Sequence, residues 1–144
     1  MLMHVVVTYE SRSGNTKAAA QLIAGGLQAS GGVVTLTPVD RPDFGALAQA
    51  DLIVVGTWTD GFFFFGQRPG MAGKIAGNLP DIWDKPVYSF VTYAKNPGQS
   101  HVKLGEMLEA KGAFSIGASA IHRNELEAGA SAVVDAIVEQ YAAS

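Results

Sequence analysis

A chain of 144 residues with 48% hydrophobic and 16% charged side chains has the material for one domain with a sizeable core and is too apolar for disorder. Its formal charge of −3 argues against a nucleic-acid binder driven by a basic patch. With no cysteine there is no disulfide, no thiolate nucleophile and no Cys-ligated metal. The apolar opening Met1 to Val7 is too short for a membrane span and has neither basic leader nor cleavage site, so a cytoplasmic protein is expected.

The first strand is expected over residues 3–9, where Val5, Val6 and Val7 supply a β-branched run. It stops in Ser11, Arg12, Ser13, Gly14, Asn15 and Thr16. A helix follows over 15–29, with Ala18, Leu22, Ile23 and Leu27 along one stripe and Gly31-Gly32 as its stop. Such a junction collects backbone N–H groups that have no intrahelical partner, adds the positive end of the helix dipole, and surrounds both with short hydroxyl and amide side chains. It is a pocket for an anion, most naturally a phosphate. Taken alone, the same residues also suit a connection in which Ser, Gly and Asn merely cap the helix.

A second strand is expected over 33–38, a short helix over 44–49 and a third strand over 51–57. Leu52 to Val55 are apolar on both faces, as a central strand covered by helices requires. The stretch after it holds Thr57, Trp58, Thr59 and Asp60, then four consecutive phenylalanines, Phe62 to Phe65. An indole among small residues can lie against a planar heteroaromatic ring, and offset stacking contributes about 0.5–1.5 kcal/mol beyond area burial. Asp60 reads as a turn residue before glycine, and Phe62 to Phe65 as core packing or a dimer contact. Four aromatics in a row cannot all face inward, because a strand alternates them and a helical turn spreads them.

A helix over 69–78, weakened by Gly70, Gly73 and Gly77, precedes a fourth strand at 86–93. The loop from Thr92 to His101 contains Tyr93, Lys95, Asn96 and Gly98. Then come a helix over 100–111 with Val102, Leu104, Met107 and Leu108, a fifth strand at 115–121, and a helix over 124–142 carrying Leu126, Val133, Val134, Ile137 and Tyr141. His101 and His122 read as solvated or capping histidines, since nothing pairs them with a nucleophile.

Strands alternating with helices fit one α/β domain over residues 1–144, a doubly wound five-stranded parallel sheet in the order 2-1-3-4-5 with helices on both faces. Ligands in such sheets sit at the carboxyl ends of the strands where the winding reverses. The loops leaving strands 1, 3 and 4 are therefore expected to converge on one site.

The pattern Tyr9-x-Ser11-x-Ser13-Gly14-Asn15-Thr16-x-x-Ala19 resembles the phosphate-binding signature of the flavodoxins, in which this loop wraps the terminal phosphate of FMN. The resemblance implies a short-chain flavodoxin-like fold, FMN as cofactor and electron transfer as function. On it, Ser11, Arg12, Ser13, Gly14, Asn15 and Thr16 hold the phosphate, and Thr57, Trp58, Thr59, Tyr93 and Gly98 serve the ring. Gly14 would let the backbone approach the phosphate closely. The implied partners are redox proteins or a small-molecule electron acceptor, with no nucleic acid and no membrane, and Phe62 to Phe65 leave room for a homodimer.

Family members often carry acidic residues in the loop after strand 4, where this chain has Lys95 and Asn96. A nearby cation favours the anionic reduced flavin, so a less negative reduction potential is expected. Two further readings stay open beside the electron carrier. One is an NAD(P)H-dependent quinone or flavin reductase on the same fold, which the modest charge favours; the other is a flavin-free interaction module using Phe62 to Phe65 as a contact patch. Receiver domains need an Asp where this chain has Gly56, low-molecular-weight tyrosine phosphatases need a Cys, and P-loop NTPases need a G-x-x-x-x-G-K-[ST] string that does not occur.

Overall fold

β-branched runs and helical stretches alternate in the computed structural model as they do in the sequence; it describes residues 3–60, 68–69 and 84–142. The elements are β1 (His4–Tyr9), α1 (Asn15–Ala29), β2 (Val33–Pro38), α2 (Phe44–Gln49), β3 (Leu52–Asp60), β4 (Arg68–Pro69), β5 (Pro86–Tyr93), α3 (Ser100–Glu109), β6 (Phe114–His122) and α4 (Leu126–Ala142). The five long strands run parallel in the order β2-β1-β3-β5-β6. This is the expected 2-1-3-4-5 order, with the two-residue β4 pairing off the main path.

Most boundaries fall within one residue of expectation; the four larger departures each have a local reason. β3 runs on to Asp60 because Thr59 and Asp60 pair antiparallel with Pro69 and Arg68. Trp58 and Thr59 therefore stand on a strand end rather than in a loop. Pro69, expected to open a helix, belongs to β4; the rest of the helix expected over 69–78, together with Phe62 to Phe65 and Trp83, lies outside the described residues. α3 stops two residues early, where the Lys111 and Gly112 N–H groups bond back to Leu108 and Glu109 and Gly112 takes φ +94°. α4 starts two residues late because Glu125 N–H closes a turn on the His122 carbonyl and the first helical bond is Gly129 to Glu125.

α1 ends as the glycine pair predicts. Gly31, at φ +98°, donates to the Gln28 carbonyl and Gly32 to that of Leu27, the two bonds of a left-handed C-terminal stop.

Two cores flank the sheet. On one face α1 and α4 cover Val5, Val7, Leu52, Val54 and Phe90; on the other α2 and α3 cover Val6, Ile53, Val55, Val87 and Val91. Leu52 to Val55 are fully enclosed, as a central strand should be, and each such side chain contributes about 1.5–3 kcal/mol. The buried stripe of α1 is Ala19, Ala20, Ile23, Ala24 and Leu27, while Leu22 is exposed. α1 lies close on α4 at Gly26, where a Cβ would stand 2.7 Å from Val134 Cγ2. Likewise Gly56 gives its space to the Phe90 ring, which a Cβ would meet at 2.0 Å. Among the described residues no helix is long and apolar enough to cross a membrane.

Candidate functional site

An open cleft lies at the carboxyl ends of the central strands, lined by Arg12, Ser13, Asn15, Trp58, Thr59, Thr92, Tyr93, Ala94 and Arg123. Its wall on one side is the loop between β1 and α1. Gly14 is the N-cap of α1 at φ +94° and has no side chain of its own to cap the helix. The amides of Asn15 and Thr16 precede the first intrahelical bond, which runs from Ala18 N–H to the Gly14 carbonyl. They are the orphan donors of a helix start. Ser11 Oγ accepts from the Gly14 and Lys17 N–H groups, each at 3.2 Å, so its own proton remains to donate. Asn15 Nδ2 reaches Ser13 Oγ at 3.5 Å.

Gly14 is needed for its backbone angle. A Cβ there would find nothing within 4 Å, so no protein group forbids a side chain, whereas φ +94° does disfavour one. Thr16 points inward: it is buried, and its Oγ1 shares a 2.9 Å hydrogen bond with Thr92 Oγ1. That bond ties the first loop to the end of β5.

The opposite wall comes from three strand ends. β3 supplies Trp58 and Thr59, whose Nε1 and Oγ1 are buried with no partner among the described residues. Unpaired buried donors of this kind are costly and call for a partner. β5 supplies Thr92 and Tyr93, and the Tyr93 ring meets the His122 ring edge-on at 5.2 Å and 87°. The turn after β6 supplies Arg123, whose backbone N–H donates to the Tyr93 carbonyl at 2.9 Å. That turn is closed by Asn124 N–H donating to His122 Nδ1 at 3.1 Å, which makes that nitrogen an acceptor.

Six residues expected at the site line the cleft together: Arg12, Ser13, Asn15, Trp58, Thr59 and Tyr93. Ser11, Gly14 and Thr16 shape the loop behind them. Thr57 is fully buried and does not line the cleft. Gly98 stands in a turn at φ +52°, its N–H bonded to Asn96 Oδ1 at 2.9 Å, so that amide is already engaged within its own loop. Lys95, expected as the cation near the ligand, is exposed and outside the lining. Sequence patterns do not single out Arg123; the signal for it is a polar turn leaving the last strand at the same sheet edge as the other loops.

Among the described residues the lining contains two arginines and no carboxylate. Burial lowers the His101 pKa below its ordinary 6.5, but His101 is not in the lining. No cluster of His, Cys, Asp and Glu suited to a metal occurs among the described residues.

A doubly wound α/β domain with two open amides at a helix start and an aromatic wall at its switch point is the class that fold and cleft define. A family model described as the flavodoxin domain matches residues 6–113, and the chain belongs to that family: it is a flavodoxin-like electron-transfer protein, of a family that typically binds FMN. Proteins of this kind work between redox partners.

Among solved structures, oxidised flavodoxin 2 from Bacillus cereus superposes with a TM-score of 0.71 at 23% identity, over 94% of this chain and 98% of that one. A flavodoxin from the domain Archaea gives 0.69 at 21% identity, over 93% and 96%. Two-electron reduced flavodoxin from Megasphaera elsdenii gives 0.64 at 24% identity, over 88% and 98%. At these identities the likeness shows the fold. No curated protein sequence matches the chain.

Proposed function

We propose that the cleft holds FMN, with its phosphate at the β1–α1 loop and its ring against Trp58, Thr59 and Tyr93, and that the protein carries electrons between redox proteins or to a small-molecule acceptor. The observation that carries this reading is the pairing of two unmet demands in one cleft. On one side stand the uncapped amides of Asn15 and Thr16 beside Arg12 and Ser13; on the other stand the buried Trp58 Nε1 and Thr59 Oγ1, unpartnered among the described residues. The first set suits a dianion. The second suits a planar heteroaromatic group with hydrogen-bond acceptors.

The donor chemistry fits the cofactor, and the division of labour among residues follows from it. Ser11, Arg12, Ser13, Asn15 and Thr16 bind the phosphate through hydroxyl, guanidinium and amide donors, while Gly14 supplies the turn that aims them. Trp58, Thr59 and Tyr93 orient the ring. Thr57 and Gly98 act behind the site, one inside the core and one in the turn of its own loop. FMN, when bound, supplies the one- and two-electron chemistry, and the chain supplies binding, orientation and electrostatic tuning.

Titration of the apo-protein with FMN, FAD and riboflavin side by side is the test. FMN is expected to bind much more tightly than riboflavin, with quenching of Trp58 fluorescence that is lost in Trp58→Phe. Equal affinity for FMN and riboflavin would overturn the phosphate assignment.

A further inference from the structure

Arg123 lies beyond residues 6–113, the part of the chain that the family model matches, yet this exposed residue lines the same cleft as Arg12, Trp58 and Tyr93. Its backbone is fixed. The N–H continues the β5–β6 ladder by donating to the Tyr93 carbonyl, and the next residue closes the turn on His122 Nδ1. The His122 ring, in turn, is held edge-on against Tyr93. The guanidinium therefore leaves a well-defined point beside the aromatic wall, and it makes no ion pair among the described residues.

The sheet order separates the two arginines of the cleft. Arg12 follows β1 and Arg123 follows β6, with β3 and β5 between them. Three strand spacings put the two backbones roughly 14 Å apart. With a phosphate at the β1–α1 loop, the rest of the ligand would have to lie along the remaining lining, which is Trp58, Thr59, Thr92, Tyr93, Ala94 and Arg123. The two cations thus act on different parts of one ligand.

Resting on the FMN reading above, we propose that Arg123 tunes the redox equilibrium of the site: its charge stabilises the ring once two electrons and one proton have been taken up from the reductant and the ring has become anionic. Oxidised FMN has an uncharged ring, so the guanidinium does little for it. An opposite charge near the ring favours its charged form. This role belongs to Arg123 rather than to Lys95, which is outside the lining. Two unit charges about 6 Å apart at an effective dielectric constant of about 40 attract by an amount that corresponds to about a tenfold preference, which is the size of effect expected for the reduced ligand.

The test measures FMN affinity in both redox states, by titration of the oxidised form and by anaerobic equilibration of the loaded protein with a dye of known potential. In Arg123→Gln the preference for reduced FMN is expected to fall about tenfold, a drop of about 30 mV for a two-electron couple, with oxidised affinity and melting temperature little changed. Arg123→Lys should restore most of the preference, and added salt should narrow the gap between wild type and Arg123→Gln. Arg12→Gln should weaken both states alike, because the phosphate is a dianion in each. If the wild-type protein binds FMN in neither state, the reading of the site fails and this inference fails with it. If wild type binds FMN but Arg123→Gln weakens both states equally, or neither, the inference alone is overturned.

Discussion

The two walls of the cleft are assembled differently. The β1–α1 wall comes from six consecutive residues, Ser11 to Thr16, whose geometry is set by one glycine at φ +94° and by Ser11 Oγ accepting from the Gly14 amide and from that of Lys17 in the first turn of α1. The opposite wall gathers Trp58, Thr92, Tyr93 and Arg123 from three strand ends, and it exists only because the sheet register sets Gly56 beside Phe90 and Tyr93 beside His122. A wall made locally should tolerate changes in the core and fail through its own residues. A wall made by register should fail through the packing beneath it.

The sharpest way to break this contrast is Gly56→Ala. Its Cβ would enter the Phe90 ring at 2.0–2.5 Å, and Phe90 is fully buried, so neither strand can yield cheaply. A stability loss of about 3 kcal/mol is expected, at the upper end of the usual cost of overpacking, read as a lower denaturant midpoint. Phe90→Leu in the same chain should recover part of it. The expected loss reaches the aromatic wall first, with Trp58 fluorescence altered while the β1–α1 loop keeps its affinity for inorganic phosphate. An unchanged midpoint would mean that the strands do not approach this closely.

Ser11→Ala strikes the local wall. It strips the Gly14 and Lys17 amides of their acceptor and, on the proposed reading, removes a hydroxyl donor to the phosphate. Loss of one hydrogen bond to a charged group costs about 1.5–3 kcal/mol, so FMN affinity should fall roughly 10- to 150-fold, whereas riboflavin affinity should scarcely move. A parallel loss for riboflavin would show that the residue shapes the whole cleft rather than the phosphate end.

Gly14 separates two explanations for a glycine at that position. Because a Cβ there meets nothing within 4 Å, Gly14→Ala should cost only the left-handed backbone penalty, about 1–2 kcal/mol. Gly14→Asn, although larger, should cost less, since asparagine tolerates that region. Thermal melts of the two variants decide the matter. If Asn is worse than Ala, space rather than backbone angle is what the position requires.

How much of this is legible in the sequence follows the same division. The Ser11-x-Ser13-Gly14-Asn15-Thr16 run, the Gly31-Gly32 stop and the both-sides-apolar Leu52 to Val55 strand are local signals, and the structure carries each where it is expected. What cannot be read depends on neighbours distant in sequence. Leu22 looks like core by spacing, but the face of α1 turned to the sheet and α4 is that of Ala19, Ala20, Ile23, Ala24 and Leu27. Gly56 gives no hint that a phenylalanine ring occupies the space of its missing side chain. β3 reads as ending at 57, because its last pairing is with Arg68 and Pro69, which no periodicity announces. Arg123 joins the cleft through register with Tyr93, while Lys95, nearer in sequence to Tyr93, stands outside it.

The smallest expected effect belongs to His101, at the start of α3 and outside both walls. Its Nδ1 is buried with no partner among the described residues, and burial lowers its pKa below the ordinary 6.5. The positive end of α3 acts in the same direction. As pH falls through the ordinary histidine value, the unfolded chain takes up a proton before the folded one does, so stability declines with falling pH over that window. The contribution is intact above about 6.5, the ordinary value, and is lost as the pH drops toward the lowered folded value. His101→Gln should therefore narrow the gap between denaturant midpoints at pH 8 and pH 5 without moving the midpoint at pH 8 by much. Because His101 touches neither wall, the same substitution should leave FMN affinity at pH 8 unaltered. A pH gap as wide as that of the wild-type protein would mean that the imidazole is free to take up a proton in the folded chain.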